Sequence, residues 1–164
     1  MLSKEEIWCC LSEIPDPDIP VISITELGLV RNVEIQAANS VDKVIVSITP
    51  SYSGCPAMQF FKDEIITTLR KAGVIEVEIK MVYSPAWTTD WISDAAKEKM
   101  KKHGISPPGA VSESASTFFC EEKKTCPWCN AIDTKRTTQF GSTPCKALWF
   151  CNLCKQPFEV FKCI

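Results

Sequence analysis

Two motifs, Cys126-Pro127-Trp128-Cys129 and Cys151-Asn152-Leu153-Cys154, lie 21 residues apart near the C-terminal end of the chain. Each motif places two sulfurs on one tight turn, and two such turns facing each other complete a tetrahedron that suits Zn²⁺. All four ligands would be thiolates, which leaves no position open for water or substrate and favours a structural metal over a catalytic one. The predicted zinc ligands are Cys126, Cys129, Cys151 and Cys154.

The segment 118–164 around these motifs is predicted to be a zinc ribbon of two β-hairpins, with one Cys-x-x-Cys turn in each hairpin. Its 47 residues are too few to bury enough apolar surface to fold alone. Metal ligation would supply the missing free energy, on the order of 10 kcal/mol for structural zinc. Asn130 follows the first motif, where a left-handed residue is often required, and Asn tolerates that conformation.

The charge of the chain is unevenly divided. Residues 1–117 hold 11 Lys and Arg against 16 Asp and Glu, whereas residues 118–164 hold 7 against 4. A zinc ion with four thiolates carries a local charge of about −2, and four basic residues can partly offset it. These are Lys124, Arg136, Lys146 and Lys155. The basic residues are therefore explained without a nucleic-acid partner, and none is expected.

The ten cysteines of the chain help to indicate the cellular compartment of the protein. The segment Met1–Glu6 lacks the apolar region of a secretory signal, and no stretch reaches the roughly 18 apolar residues of a membrane span. Cysteines in a chain of this kind point to a reducing environment, in which thiols bind metals or react. The sequence predicts a cytoplasmic protein without a membrane partner.

Periodicity predicts an α+β domain over residues 1–104, with a small mixed sheet and the order αββαβα. Ser3 and Glu6 form a capping box for the first helix, which Pro15 stops. The other predicted elements are strands near 29–36 and 44–49 joined by a turn at 38–42, a helix from Pro56 to Gly73, a strand over 75–83 and a helix over 89–102. The strand–helix–strand step should place two strands parallel. Residues 105–117, rich in Gly, Pro, Ser and Thr, are predicted to be a linker.

Three residues of this first domain are candidates for chemistry. Cys55 lies in a loop that leaves a strand and enters a helix, where the helix dipole and free backbone N–H groups favour the thiolate. A small buried residue at a cap is the alternative interpretation. Asp16 lies in an acidic loop stiffened by prolines and Asp90 lies between two tryptophans. These two carboxylates are candidate contacts for a bound cofactor, and the topology would bring all three loops to one end of the sheet.

Four segments of the first domain resemble the metal–sulfur cluster assembly domain of SufT-like proteins. They are Asp16–Pro20, Glu26–Val30, Thr49–Pro56 and Trp87–Ile92. When Phe140–Leu148 and Pro157–Cys163 are added, the whole chain resembles the PaaD family, the accessory members of the bacterial phenylacetyl-CoA epoxidase set. Ser142-Thr143-Pro144-Cys145 departs mildly from that family, because proline stands where alanine is expected.

The resemblance implies a maturation factor for an iron–sulfur or di-iron centre of the epoxidase, without turnover of its own. Its partners would be the di-iron oxygenase and the [2Fe–2S] reductase components, and its cofactors a structural Zn²⁺ and a transient iron or Fe–S cargo. Cys55 occupies the position of the reactive cysteine in related domains. Cys145 and Cys163 match further family cysteines, and either one could replace a ribbon ligand or help to hold a labile cluster.

Other functions remain open from the sequence. The chain could be a stoichiometric, non-catalytic subunit of the oxygenase, a nucleic-acid-binding ribbon protein, or a thiol–disulfide enzyme that uses Cys126-Pro127-Trp128-Cys129. Against nucleic acid stand the acidic first domain and a sequence pI near 5.5. Whether the chain forms a homo-oligomer is also open.

Overall fold

The structure is a computed structural model that describes residues 2–36, 43–109 and 124–163. The turn expected at 38–42, most of the expected linker (110–117) and Cys120 in the first part of the expected ribbon lie outside the described residues. The chain divides into two compact units, residues 1–87 and 88–164.

The first unit is an α+β domain with the predicted order of elements. It contains α1 (Lys4–Ser12), β1 (Val30–Gln36), β2 (Lys43–Ile48), α2 (Ala57–Lys71) and β3 (Glu76–Met81). β2 lies in the middle of the sheet, antiparallel to β1 and parallel to β3. The mixed sheet and the parallel pair around α2 confirm the fold predicted from the sequence.

Helices α1 and α2 cover one face of this sheet. The capping box is present, because Ser3 Oγ accepts the Glu6 N–H at 3.2 Å and Glu6 Oε2 accepts the Ser3 N–H at 2.7 Å. Alternation along β1 and β2 and the 3.6-residue period of the helices direct apolar side chains into a common core. The core includes Ile7, Leu11, Val33, Val46, Phe61, Ile65 and Leu69.

The second unit begins with the predicted last helix, which is in fact two helices. A 3₁₀ helix (Thr89–Trp91) is followed by α3 (Asp94–Lys102). Ser93 separates them, because its backbone is extended and its Oγ accepts the Ala96 N–H at 3.1 Å. A serine that caps a backbone N–H in this way starts a new helix.

A four-stranded sheet completes the second unit. Its strands are β4 (Ile105–Ser106), β5 (Thr134–Thr138), β6 (Lys146–Cys151) and β7 (Pro157–Phe161), in the order β4-β7-β6-β5. β5, β6 and β7 form an antiparallel ribbon, and β4 adds to its edge, parallel to β7. The sequence placed a domain boundary at 104 and a linker from 105, whereas the structure groups residues 88–109 with the ribbon. The difference arises because Ile105 and Ser106 are buried and pair with Glu159 and Val160.

Among the helices in the described parts of the chain, none has the length and apolar character needed to cross a membrane.

Candidate metal centre and thiol loop

The four cysteines of the two motifs come together in the ribbon. Their sulfurs all lie within 4.8 Å of one another, with Cys126 Sγ 3.7 Å from Cys154 Sγ and Cys129 Sγ 3.6 Å from Cys151 Sγ. A tetrahedral zinc site with Zn–S bonds of about 2.3 Å has sulfur–sulfur edges of about 3.8 Å. The observed spacing therefore fits a zinc ion, and it is far longer than the roughly 2.05 Å bond of a disulfide.

The two Cys-x-x-Cys turns repeat one backbone pattern. Asn130 N–H donates to Cys126 O at 2.9 Å, and Lys155 N–H donates to Cys151 O at 3.1 Å. Asn130 and Lys155 both have positive φ, 60° and 59°. The left-handed Asn130 confirms the sequence prediction, but the same conformation at Lys155 was missed. The sequence did contain the signal for this conformation, since Lys155, like Asn130, directly follows a Cys-x-x-Cys motif.

Backbone N–H groups face the first sulfur of each turn. Burial raises the pKa of the Cys126 thiol, although the Cys129 and Trp128 N–H groups hydrogen-bond to it and act in the opposite direction. At Cys151 the N–H groups of Cys154 and Leu153 prevail and lower the pKa to about 7. Burial and the neighbouring thiols raise the pKa of Cys154 to about 12. Four crowded thiols resist ionising together, so the site is built to be completed by a cation.

Two further cysteines in the described part of the ribbon, Cys145 and Cys163, lie away from this cluster. Cys145 precedes β6 and Cys163 follows β7, at the end of the hairpin where Lys146 pairs with Phe161. Cys151 ends β6 five residues further along, about 17 Å away at the rise of a strand. Cys145 and Cys163 therefore lie too far away to replace a sulfur of the cluster in this structure.

A partly buried ion pair lies between β6 and β7. Lys146 is 3% exposed and its Nζ is 2.9 Å from Glu159 Oε2, so its charge is engaged there rather than at the thiolates. Glu159 Oε1 accepts the Ser142 N–H at 2.7 Å. A Cβ on Gly141 would lie 2.7 Å from this same oxygen, so a larger residue at position 141 would push the end of the Glu159 side chain aside.

Trp128 joins the first Cys-x-x-Cys turn to the segment that follows α3. Its indole N–H donates to Pro157 O at 3.2 Å, although the side chain is 54% exposed. The ring covers Gly104, where a Cβ would lie 2.4 Å from two indole carbons. Trp128 therefore links the first Cys-x-x-Cys turn to the residue that precedes β4, a contact that the sequence did not reveal.

This contact yields a prediction about Gly104. Substitution Gly104→Ala should lower the free energy of unfolding of the zinc-loaded chain by about 2–4 kcal/mol, because strain at φ +82° is added to the clash with Trp128. Gly73→Ala is the matched control, since Gly73 also follows a helix with φ +97° but has nothing within 4 Å of its Cβ position. Denaturant unfolding of both variants measures the difference, and equal losses would contradict the packing role of Trp128.

Cys55 lies one residue before the capping position of α2. Pro56 is the N-cap of the helix, so Cys55 is one position further out than the sequence suggested. The thiol is free and half-buried, and the Cys55 N–H donates to Tyr52 O at 3.2 Å. Gly54, at φ +81°, turns the chain just before it. Thr49 begins the same loop, and its buried hydroxyl has no hydrogen-bond partner among the described atoms.

Asp16 is used locally. It is 9% exposed, and its Oδ1 accepts the N–H groups of Asp18 and Ile19, both at 2.8 Å. This Asx-type turn fixes the acidic loop of the first unit. Asp90, in the second unit, is exposed in the 3₁₀ helix, and its N–H donates to Thr88 Oγ1 at 3.3 Å.

Two further motif segments also have a structural explanation. Ser23 and Glu26 exchange two hydrogen bonds across a turn, with Ser23 N–H donating to Glu26 Oε2 at 3.0 Å and Glu26 N–H to Ser23 Oγ at 3.3 Å. Gly28 then adopts φ +70°. Trp87 is buried and its indole N–H donates to Leu27 O at 2.8 Å. These residues shape the first unit, and the sequence had left their role open.

Comparison with known proteins agrees with this architecture. A family model described as iron-sulfur cluster assembly protein matches residues 4–81, and one described as PaaD zinc beta ribbon domain matches residues 110–162. The chain is 43% identical over 159 residues to a protein of Escherichia coli K12 that is named as a 1,2-phenylacetyl-CoA epoxidase subunit, covering 97% of this chain and 92% of that protein. The chain belongs to the PaaD family. Neither family model covers residues 82–109, which include α3 and β4.

Two other similarities each cover more than half of this PaaD-family chain. It is 32% identical over 95 residues to an "Fe-S protein maturation auxiliary factor" of Porphyromonas gingivalis, covering 57% of this chain and 87% of that protein. It also superposes on the DUF59 domain of Bacillus anthracis with a TM-score of 0.52 and 24% identity, covering 59% of this chain and 90% of that one. The second similarity concerns the fold alone.

Proposed function

We propose that this chain is an accessory factor that helps to assemble an iron–sulfur or di-iron centre of a phenylacetyl-CoA epoxidase in the cytosol, without turnover of its own. The observation that carries the proposal is the joining, in one chain, of an assembly-type domain with a half-buried free thiol and a four-cysteine ribbon. The similarity to a protein named as part of the epoxidase and to a maturation auxiliary factor supports the same role.

In this proposal Cys55 is the residue that meets the cargo. Iron and Fe–S clusters are bound by cysteine sulfurs, and Cys55 is a free, half-buried cysteine in the loop that leads into α2. The unpaired hydroxyl of Thr49 in the same loop supports a binding role, because a buried polar group without a partner calls for an explanation of this kind. We assign Asp16 to holding its loop, since its Oδ1 is occupied by backbone N–H groups.

The four ribbon cysteines would hold a structural zinc ion, which supplies the positive charge that their thiolates need. With four protein ligands the ion would have no open coordination position for catalysis. In this proposal the ribbon instead serves to dock the oxygenase or reductase component. A redox role for Cys126 and Cys129 predicts a titratable dithiol, whereas the zinc site predicts one metal ion per chain and no titratable dithiol until a chelator is added.

The functional test is Cys55→Ser. When the variant is co-produced with the epoxidase components, we expect a severalfold loss of iron from the oxygenase or the reductase, with unchanged zinc content and circular dichroism of the variant. Cys9→Ser is the matched control, because Cys9 is a free, exposed cysteine on α1 of the same unit. Normal client metallation in the Cys55 variant would remove this thiol from the mechanism.

The word "subunit" in the name of the Escherichia coli relative favours a second candidate function. The chain would then be a stoichiometric, non-catalytic component of the oxygenase. The two functions differ in whether the purified, active oxygenase retains the protein. A maturation factor is absent from the finished complex, whereas a stoichiometric component is present in a fixed ratio.

A further inference from the structure

The outer edge of β3 has the properties of a protein interface. Among the described residues, β3 pairs only with β2, so its other side presents unpaired backbone groups. Its ladder with β2 is regular from Glu76 to Met81, whereas the opposite edge strand β1 carries a register shift between Val30 and Asn32. A bulge of that kind blunts an edge against pairing, and β3 has none.

The direction of the backbone groups follows from one hydrogen bond. Val82 N–H donates to Ile48 O at 2.8 Å. Because N–H and C=O groups alternate in direction along a strand, the even-numbered residues of β3 face β2. The N–H and C=O groups of Val77, Ile79 and Met81 then face outward, where they can exchange hydrogen bonds with another strand.

Apolar side chains lie along the same edge. Val77, Ile79 and Met81 are only half-buried although they lie on the helix-covered face of the sheet. At the two ends of the strand, Ile75 is 73% exposed and Tyr83 is 67% exposed. Large exposed apolar residues on both sides of an unpaired strand edge are a feature of interaction sites.

The charged residues of β3 indicate which strand would pair with its outer edge. The opposite face of the strand carries Glu78 and Lys80, and Glu78 Oε2 is already 2.6 Å from Lys43 Nζ of β2. We propose that two copies of this chain pair antiparallel through β3, with Ile79 of each copy on the two-fold axis. The two sheets then join into one, and the interface is isologous, as in most homodimers.

This register gives complementary partners to the apolar residues of the edge and to Glu78 and Lys80. Ile79 meets Ile79, Val77 meets Met81 and Ile75 meets Tyr83 of the second copy, so that outward backbone groups pair and the exposed apolar side chains become covered. On the other face Glu78 meets Lys80 of the second copy, which extends the Lys43–Glu78 pair into an alternating row of charges. Opposite charges directly across a strand pair are stabilising.

The two neighbouring registers of this strand pair are destabilised by like charges that face each other. Slipping each strand so that Glu78 lies on the axis places two Glu78 carboxylates opposite each other. Slipping the other way places two Lys80 ammonium groups opposite each other. Like charges in that position are destabilising, and a slip of the opposite parity would set outward backbone groups against inward ones. The register centred on Ile79 is therefore selected.

Sedimentation equilibrium of the full, zinc-loaded chain under reducing conditions tests the proposal. We expect a monomer–dimer equilibrium in the micromolar range, since one strand edge buries little area. Lys80→Glu alone and Glu78→Lys alone should each weaken the dimer by about tenfold or more, because each sets like charges across the axis twice. Glu34→Lys, the same charge change on β1, is the control and should leave the equilibrium unchanged.

Mixing the Glu78→Lys and Lys80→Glu variants is the decisive experiment. In a mixed dimer, the lysine introduced at position 78 of one chain faces the glutamate introduced at position 80 of the other, and the native Lys80 of the first chain faces the native Glu78 of the second. A 1:1 heterodimer should therefore form although each variant dimerises poorly alone.

Three results would overturn the proposal. They are a purely monomeric native chain, a dimer that Lys80→Glu does not weaken, and a mixture of the two charge variants that shows no gain in association. If Glu78→Lys alters the circular dichroism, Tyr83→Ser provides the second test, and an unchanged dimer in that variant would also count against β3. None of these outcomes depends on the proposed maturation role.

Discussion

Replacing Cys151 by serine is expected to unfold the ribbon and release its metal. Cys151 is fully buried in the core of the ribbon, and its sulfur is one of the four that lie within 4.8 Å of one another. Structural zinc contributes on the order of 10 kcal/mol to a module of this size, and loss of one of four ligands should remove most of that stabilisation. The measurements are zinc content per chain and amide hydrogen exchange across β5 to β7.

The matched control for this substitution is Cys145→Ser. Cys145 lies in the same unit but at the other end of the β6–β7 hairpin, and its Sγ is 3.1 Å from Thr143 Oγ1. It should retain one zinc ion and native exchange. The exchange of α3 gives a further readout, because Trp128 ties the first Cys-x-x-Cys turn to Gly104. A Cys151→Ser variant that keeps its zinc and its protected strands would contradict the assignment of the four ligands.

The second large effect is expected at the Lys146–Glu159 pair. Glu159→Gln leaves the buried Lys146 ammonium group without its carboxylate. Because the Glu159 side chain is 24% exposed, we expect a loss of about 2–3 kcal/mol, below the roughly 3–5 kcal/mol of a fully buried pair. Replacing both residues together, Lys146→Met with Glu159→Leu, should restore most of the loss, because an apolar pair needs no compensation. Denaturant unfolding at saturating zinc measures all three proteins.

The same pair predicts a pH dependence. Burial raises the pKa of Glu159, but the Ser142 N–H and Lys146 outweigh it and hold the pKa below its ordinary value. A carboxylate whose pKa is lowered by folding stabilises the protein above its unfolded pKa of about 4.3, and this stabilisation is lost as the pH falls through the lower folded value. Glu159→Gln should therefore show a shallower loss of stability on acidification than the native chain. If the free energy of unfolding of the two proteins fell equally as the pH was lowered, the proposed role of the pair would be refuted.

Much of the fold was available from local patterns. The alternation in β1 and β2, the apolar stripe of α2 and the Ser3–Glu6 box each predicted an element that the structure contains, because these signals depend only on periods of two and 3.6 residues. The boundaries of the predicted elements agreed less well with the structure. The predicted helix over 89–102 is divided at Ser93, where one hydroxyl competes for the backbone and starts a new helix.

For the candidate sites, the sequence by itself determined the four thiols that form a cluster, because two Cys-x-x-Cys turns constrain their own sulfurs. Only the tertiary structure separated Cys145 and Cys163 from that cluster, paired Lys146 with Glu159 and set Trp128 against Gly104. It also placed the first two residues of the expected linker in β4, at the edge of the ribbon, and left one edge of β3 unpaired among the described residues. These features depend on which strands become neighbours, and that choice is made by packing between residues far apart in the chain, which no local period records.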